Sequence, residues 1–151
     1  MSKTTDIKGF AEKLAQMKDT VTTECGKAIA DVCARVQKTA MEGMTNTTVD
    51  NSISYKHGHH PSVAGAYPAV DTGALRGSIT FEVVENKNET RGIVGSNIGN
   101  LSSNSLYPAW LEFEYGTSRM QPRPWLRPSL EANRDYIKGR FSVAVKDTLQ
   151  K

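Results

Sequence analysis

The chain has 151 residues, a length that fits one folded domain better than two. Its composition, with 38% hydrophobic and 23% charged residues, is that of a soluble globular protein. No apolar run approaches the roughly 18 to 20 residues that a membrane span needs, and the N-terminus lacks the apolar centre of a signal peptide. We therefore expect no membrane partner and synthesis in the cytoplasm. Cys25 and Cys33 fit this expectation, since eight helical residues hold them about 12 Å apart, too far for an intrachain disulfide.

Charge is distributed unevenly, although the net formal charge is only +3. Residues 1–44 carry seven basic and six acidic side chains, residues 45–117 carry four and seven, and residues 118–151 carry eight and three. The acidic middle and the basic end could dock on each other, within one chain or between neighbouring copies. The basic end could instead face nucleic acid, and charge alone leaves both interpretations open.

Residues 6–44 are predicted to form a long helix. Apolar residues recur at helical spacing on one stripe, and Asp6 or Thr5 is a candidate N-cap. A helix of this length spans about 58 Å, whereas a compact sphere of the chain's size is only about 38 Å across. The helix therefore either breaks near Gly26 and the β-branched Thr20–Thr23 run, or its stripe is covered by another subunit. The stripe consists of Phe10, Leu14, Met17, Val21, Cys25, Ala28, Val32, Val36 and Ala40.

The middle of the chain is predicted to hold a long loop followed by a β-hairpin. Residues 45–70 are polar and aperiodic, which is typical of a functional loop. A turn at 71–76 follows, in which Asp71 is a candidate cap. In the first strand, Ile79, Phe81 and Val83 share one face, and a turn at 86–89 leads to a second strand around Val94.

The C-terminal part is predicted to be an extended arm followed by a helix. Residues 107–115 are apolar and aromatic, and periodicity leaves helix and strand open. Pro122, Pro124 and Pro128 make residues 120–128 extended, with Pro128 as the first residue of a helix that ends near Leu149. The stripe of that helix is Leu130, Ile137, Phe141, Ala144, Val145 and Thr148. One α+β domain results, organised as a 6–44 helix, a 45–70 loop, a 71–128 sheet and arm, and a 129–149 C-terminal helix packed on one face of a small antiparallel sheet.

Three groups of residues are candidate catalytic or metal sites, and none provides a complete set of catalytic or metal-binding groups. His57, His59 and His60 lack convergent further ligands apart from Asp50 and Asp71. Glu112 and Glu114 lack a defined catalytic partner, so a salt bridge to an arginine is favoured. Asp71-Thr72-Gly73 is the tripeptide of aspartic proteases, but the apolar strand that leads into it there is missing. We expect no enzyme activity, no cofactor and no small-molecule substrate.

The basic end of the chain is also a candidate nucleic-acid interface. Cationic side chains there could contact phosphates, and the two aromatic residues among them could stack on bases. Proline makes the first part extended, and Trp125-Leu126 is typical of an apolar anchor, so sequence-specific binding is the weaker interpretation. The residues concerned are Arg119, Arg123, Trp125, Arg127, Arg134, Tyr136, Lys138 and Arg140.

Four stretches between residues 57 and 131 together resemble one protein family. They are His60-Pro61-Ser62 through Tyr67-Pro68-Ala69-Val70; Asp71-Thr72-Gly73-Ala74-Leu75-Arg76-Gly77-Ser78-Ile79; Val94-Gly95-Ser96-Asn97; and Tyr107 through Thr117, continuing to Pro122-Arg123-Pro124-Trp125-Leu126-Arg127-Pro128-Ser129-Leu130. This order is similar to the head–tail joining, or tail-completion, proteins of long-tailed bacteriophages. Glu114 matches the glutamate of the family's Glu-aromatic-Gly-Thr motif.

The resemblance implies a structural protein of the virion neck. It would form a ring around the DNA path, with six copies expected, and would contact the head-closure or connector protein and the tail terminator or tail tube proteins. Packaged DNA would pass nearby without specific binding, and the tail terminator itself is the nearest alternative. In this interpretation Asp71, Thr72, Gly73, Leu75 and Arg76 form a structural turn, with Arg76 paired to Glu112 or Glu114. The core or interface anchors would be Tyr107, Trp110, Phe113, Glu114, Tyr115, Gly116, Pro122, Pro124, Trp125 and Leu126.

Overall fold

The computed structural model of the chain describes residues 7–54, 58–86, 89–97 and 110–149. The described part has an α+β architecture with a long N-terminal helix, an antiparallel hairpin and a helical C-terminal segment, which confirms the predicted fold class. No described helix combines the length and apolarity needed to cross a bilayer. In chain order the elements are α1 (Ile7–Thr45), α2 (Ala74–Ser78), β1 (Ile79–Asn86), β2 (Glu89–Ser96), α3 (Trp110–Tyr115), α4 (Leu126–Ala132) and α5 (Arg134–Leu149).

Helix α1 is continuous, so the predicted alternative of a break near Gly26 is wrong. The hydroxyls of Thr20, Thr22 and Thr23 each donate to the carbonyl four residues earlier, and the helix continues through these β-branched residues. Gly26 is buried, and a Cβ there would lie 3.3 Å from Glu85 Oε1. The lack of a side chain at Gly26 therefore allows α1 and the hairpin to approach closely.

The two halves of α1 have different surroundings. The C-terminal half packs on the rest of the chain and buries Gly26, Ala28, Cys33, Val36, Ala40 and Met44. Residues 7–25 contain no buried side chain, although the same apolar stripe runs through them. Ile7 is 85% exposed, Phe10 57% and Leu14 50%. The N-terminal half of α1 thus presents apolar side chains to solvent.

The two-stranded sheet lies on α1 through one of its faces. Phe81 pairs with Val94 and Val83 pairs with Gly92 on that face. A Cβ at Gly92 would collide with the Cys33 sulfur and the Ile29 side chain, so glycine permits the contact with α1. Ile79 is 3% exposed, and Phe81 and Val83 are half-buried. The predicted shared face of Ile79, Phe81 and Val83 is confirmed.

The C-terminal segment contains two helices, so the predicted single helix from 129 to 149 is wrong at its start and in its continuity. The helical segment begins at Leu126, which places Pro128 in the first turn but not at its first position. The break falls at Asn133, whose buried side chain donates to Thr39 Oγ1 and the Ser129 carbonyl and accepts from Arg35 Nε. The bonds to Arg35 and Thr39 tie the break to α1.

The predicted stripe of the last helix is partly wrong. Ala144 and Thr148 are buried, and Ile137 and Phe141 are half-buried. Leu130 is 49% exposed and Val145 40% exposed. Helix α5 packs along α1, and it is α1 that packs on the strands, so the predicted packing of the C-terminal helix on the sheet is wrong. Arg140 pairs with Asp31 of α1 at 2.7 Å. The described ion pair that ties the basic end to the body therefore reaches the N-terminal helix and not the acidic middle.

Residues 45–70 are irregular but hydrogen-bonded to their surroundings in the described part. Val49 and Ser62 form an antiparallel bridge, in which Asp50 N–H donates to the Pro61 carbonyl at 2.7 Å. The Gly65 N–H donates to the Pro122 carbonyl at 2.9 Å, and Arg123 Nε donates to the Ser62 carbonyl at 3.0 Å. The loop is thus attached to the proline-rich arm of residues 120–125.

Candidate functional site

The stretches that carry the family resemblance meet around Trp125. This side chain is fully buried in a core cluster with Ala40, Met44 and Ile79. Several half-buried apolar residues pack on this cluster, and most of them come from the resembling stretches. They are Met41, Tyr67, Val70, Leu75, Val94, Phe113 and Leu126.

Glu114 connects α3 to the start of α4. Its carboxylate is 8% exposed and accepts the backbone N–H groups of Trp125 at 2.8 Å, Leu126 at 3.0 Å and Arg127 at 3.0 Å. The first amides of a helix have no partner within the helix, so an acceptor from elsewhere must satisfy them when they are buried. The expectation that Glu114 forms a salt bridge to an arginine is wrong, because its oxygens are occupied by these amides.

Gly116 and Thr117 form the turn that places Glu114 opposite α4. Gly116 has φ of 75°, and a Cβ there would lie 2.7 Å from the Met120 carbonyl oxygen and 2.9 Å from the Pro122 nitrogen. The Met120 N–H donates to Thr117 Oγ1 at 3.1 Å. After the turn, the Arg123 N–H donates to the Phe113 carbonyl at 2.7 Å. The arm therefore runs back along α3 and carries Trp125 into the core.

The other predicted anchors lie at different depths. Phe113, Pro124 and Leu126 are half-buried, and Pro122 is exposed, with its carbonyl bonded to the loop. Tyr115 is 62% exposed, and its ring lies 6.0 Å from the Arg127 guanidinium carbon. Trp110 is the first residue of α3. The predictions for Tyr107, for His57 and for the side chains of Trp110 and Glu112 lie outside the described residues.

The Asp71–Arg76 segment forms the turn that leads into α2 and β1. Gly73 has φ of 79°, and the Ala74 N–H donates to Thr72 Oγ1 at 3.3 Å. The prediction that Asp71 caps this turn is therefore wrong, since Asp71 is exposed and lies 3.8 Å from His59 Nδ1. Arg76 donates to Thr45 Oγ1 at 3.0 Å, so its predicted pairing with Glu114 is wrong. Leu75 packs against the core cluster.

Two buried polar residues of the site were not singled out from the sequence. Ser129 is fully buried, donates to the Trp125 carbonyl and bonds to the Tyr67 hydroxyl at 3.1 Å. Asn133 joins α4 and α5 to α1. Both lie on an otherwise regular helical pattern in the sequence, where serine and asparagine are common on exposed faces, so no local signal distinguishes them.

The chemically reactive side chains of the described part do not converge on one point. No group of three or more His, Cys, Asp or Glu residues there could hold a metal ion. Asp50 and His59 line an open groove of about 580 Å³ together with Phe113, Arg119 and Arg123. Hydrogen bonds from the Ser52 side chain and backbone lower the pKa of the Asp50 carboxyl. The Asp50 carboxylate therefore stabilises a local turn with Ser52.

The basic residues of the C-terminal segment are largely engaged within the chain. Arg123 donates to the Ser62 and Gln121 carbonyls, Arg134 pairs with Glu131 and Arg140 pairs with Asp31. The latter contact raises the pKa of the Arg140 guanidinium. These three side chains are therefore engaged by groups of the chain itself.

Comparisons with protein-family models, with curated proteins and with solved structures gave no match for this chain.

Proposed function

We propose that this chain is a non-enzymatic structural protein of the neck of a long-tailed bacteriophage. It assembles with copies of itself into a ring, six being the expected number, that joins the tail to the head connector around the DNA channel. Its other partners are the head-closure or connector protein on one side and the tail terminator or tail tube proteins on the other. It is made in the host cytoplasm and functions in the virion.

The observation that carries this proposal is what three residues of the family-like stretches contact in the fold. The Glu114 carboxylate caps α4, Gly116 forms the return turn and Trp125 fills the core. These residues hold backbone segments together and present no reactive group to a cleft. A motif whose residues hold the backbone in place suits a structural protein.

The N-terminal half of α1 gives a second, independent support for assembly. An apolar stripe on a helix is stabilised by packing, and a protruding helix gains no such packing from its own chain. Ile7, Phe10, Leu14 and Met17 are all exposed large hydrophobic residues. A neighbouring subunit that covers them would account for their presence on the surface.

The alternatives from the sequence are less well supported. A tail terminator shares the ring architecture and the adjacent position, and no described feature favours it over a joining protein. A nucleic-acid-binding protein requires a basic face, whereas Arg123, Arg134 and Arg140 of the C-terminal segment contact a backbone carbonyl, Glu131 and Asp31.

The proposal is tested by electron microscopy of lysates in which the gene for this protein has been deleted from its phage. Filled heads separate from full-length tails support a joining role. Tails of irregular length would instead indicate the terminator, and normal infectious particles would refute both.

A further inference from the structure

The N-terminal half of α1 carries a two-heptad coiled-coil pattern, which we name the α1 seam. Apolar residues at alternating three- and four-residue spacing are the pattern of a helix that packs on a partner by knobs into holes. No residue of the seam is buried, although Val21 at its C-terminal end is half-buried. It consists of Ile7, Phe10, Leu14, Met17 and Val21.

Charge beside the seam is segregated over residues 12–19. At 100° per residue, Lys13 lies about 80° to one side of the middle of the seam and Lys18 about 60° to the other. Glu12 and Asp19 lie on the opposite side of the helix by the same count. Both lysines are exposed, and neither forms an ion pair with a described residue. An apolar strip with a free cation on each flank fits an apolar surface that carries negative charge.

This charge pattern opposes pairing of the seam with itself. In a parallel pair of α1 helices, Lys13 would face Lys18 of the second copy across the interface, because these residues hold the g and e positions. In an antiparallel pair centred on Leu14, the two copies of Lys13 would approach each other. Like charges at such positions destabilise the contact.

The hairpin offers a surface of the required kind on its side away from α1. Glu82 and Ile93 are direct cross-strand partners and share that face, as do Val84 and Arg91. Ile93 is 52% exposed, and the Glu82 carboxylate is exposed and forms no ion pair with a described residue. Arg91 is already paired with Glu89 at 2.6 Å. We name these four residues the hairpin outer face.

Two other exposed apolar residues on the helices have basic neighbours. Val143 on α5 has Arg140 and Lys146 one turn away on either side, with Asp147 also one turn away, and Leu130 on α4 has Arg127 and Arg134. The hairpin outer face instead combines the exposed Ile93 with a Glu82 carboxylate that forms no ion pair with a described residue.

We propose that the α1 seam of one copy packs on the hairpin outer face of the next copy, with Lys13 and Lys18 on either side of Glu82. This inference rests on the self-assembly in the proposed function and assigns its surfaces. The two surfaces are different and belong to one chain, so the contact is head-to-tail and repeats from copy to copy. Head-to-tail contacts close into a ring or continue as a filament, whereas a symmetric contact stops at a dimer.

The decisive test mixes two variants that each lose one surface. Leu14→Glu disrupts the α1 seam, and Ile93→Lys disrupts the hairpin outer face. Circular dichroism checks that both variants remain folded. Each variant alone should assemble at least about tenfold more weakly than the wild-type protein in sedimentation velocity. An equimolar mixture should form a one-to-one heterodimer that grows no further, because one intact seam meets one intact face.

Charge reversal provides the matched control. Lys13→Glu with Lys18→Glu should weaken assembly, and adding Glu82→Lys should restore it, whereas Glu12→Lys with Asp19→Lys on the opposite side of α1 should leave it unchanged. A mixture that stays monomeric while the wild-type protein assembles would overturn the assigned surfaces and leave the neck function standing. A wild-type protein that stays monomeric would overturn the contact between copies. A mixture that forms heterodimers while gene-deleted lysates contain normal particles would leave the contact standing and refute the neck function.

Discussion

The Glu114 carboxylate accepts the backbone N–H of Trp125 at 2.8 Å, across eleven positions of the chain. The same carboxylate accepts the next two amides, so one side chain satisfies the whole start of α4. The residue whose amide it binds also fills the centre of the core. The capping of a helix and the placement of a core residue are therefore coupled through Glu114.

Replacement of Glu114 by glutamine should destabilise the fold. The amide retains one carbonyl oxygen but turns an NH₂ group towards backbone donors, and hydrogen bonds to a charged group contribute about 1.5–3 kcal/mol. We expect the free energy of unfolding in urea to fall by about that amount. Glu131→Gln is the control, since its exposed pair with Arg134 contributes about 0–1 kcal/mol. Equal stability of the two variants would contradict the capping role.

Replacement of Trp125 by alanine should destabilise the core and, with it, assembly. Truncation of a buried tryptophan costs about 3–5 kcal/mol, and Trp125 is fully buried. Thermal unfolding should show a large decrease in Tm, and the variant should fail to complement a phage that lacks the gene. Tyr115→Ala removes a mostly exposed ring of the same segment and should leave Tm nearly unchanged. A stable W125A protein that still assembles would refute the anchor role.

Gly116 and Gly73 permit a comparison of two left-handed turns. An L-residue in this region of φ and ψ costs about 1–2 kcal/mol, which Gly73→Ala should show alone, because no atom lies within 4 Å of the added Cβ. Gly116→Ala should cost more, since its Cβ would also lie 2.7 Å from the Met120 carbonyl oxygen. Urea titration of both variants measures the difference. A Gly116→Ala protein as stable as Gly73→Ala would show that the turn can relax.

The two cysteines should differ in reactivity. Burial raises the pKa of the Cys33 thiol, which is 4% exposed, and the thiolate is the form that reacts. Alkylation of the folded protein followed by peptide mass spectrometry should modify Cys25 first. The raised pKa also means that Cys33 stabilises the fold below the ordinary thiol pKa and that this contribution is lost as pH rises through the raised value. In denaturant both thiols should react, and equal rates in the folded protein would contradict the burial of Cys33.

Elements that depend on residue spacing within one segment could be predicted from the sequence. Elements that depend on contacts between distant segments could not. Helix α1 and the hairpin face could be predicted because both depend on spacing within one segment, as Ile79, Phe81 and Val83 show. The start of α4 at Leu126 was missed because its cap, Glu114, comes from another segment. The break at Asn133 was missed because its bonds to Arg35 and Thr39 of α1 bridge more than ninety positions.

The same distinction applies to the residues of the candidate site. Glu114, Gly116 and Trp125 were identified as important residues from the motif alone, but the motif does not say what each side chain contacts. An acidic residue near several arginines is expected to pair with one of them, and Arg76 was a reasonable candidate. In the structure, backbone amides occupy the carboxylate, and Arg76 reaches Thr45 instead. The fold decides between these partners.

The joining role is tested most directly by complementation in vitro. Extracts of cells infected with the gene-deleted phage are mixed with purified wild-type protein, and infectious titre and electron micrographs are recorded. We predict that the wild-type protein converts separate filled heads and tails into joined, infectious particles, whereas Leu14→Glu protein leaves them separate. Heads and tails that are already joined without the added protein, or that stay separate after it is added, would contradict the account.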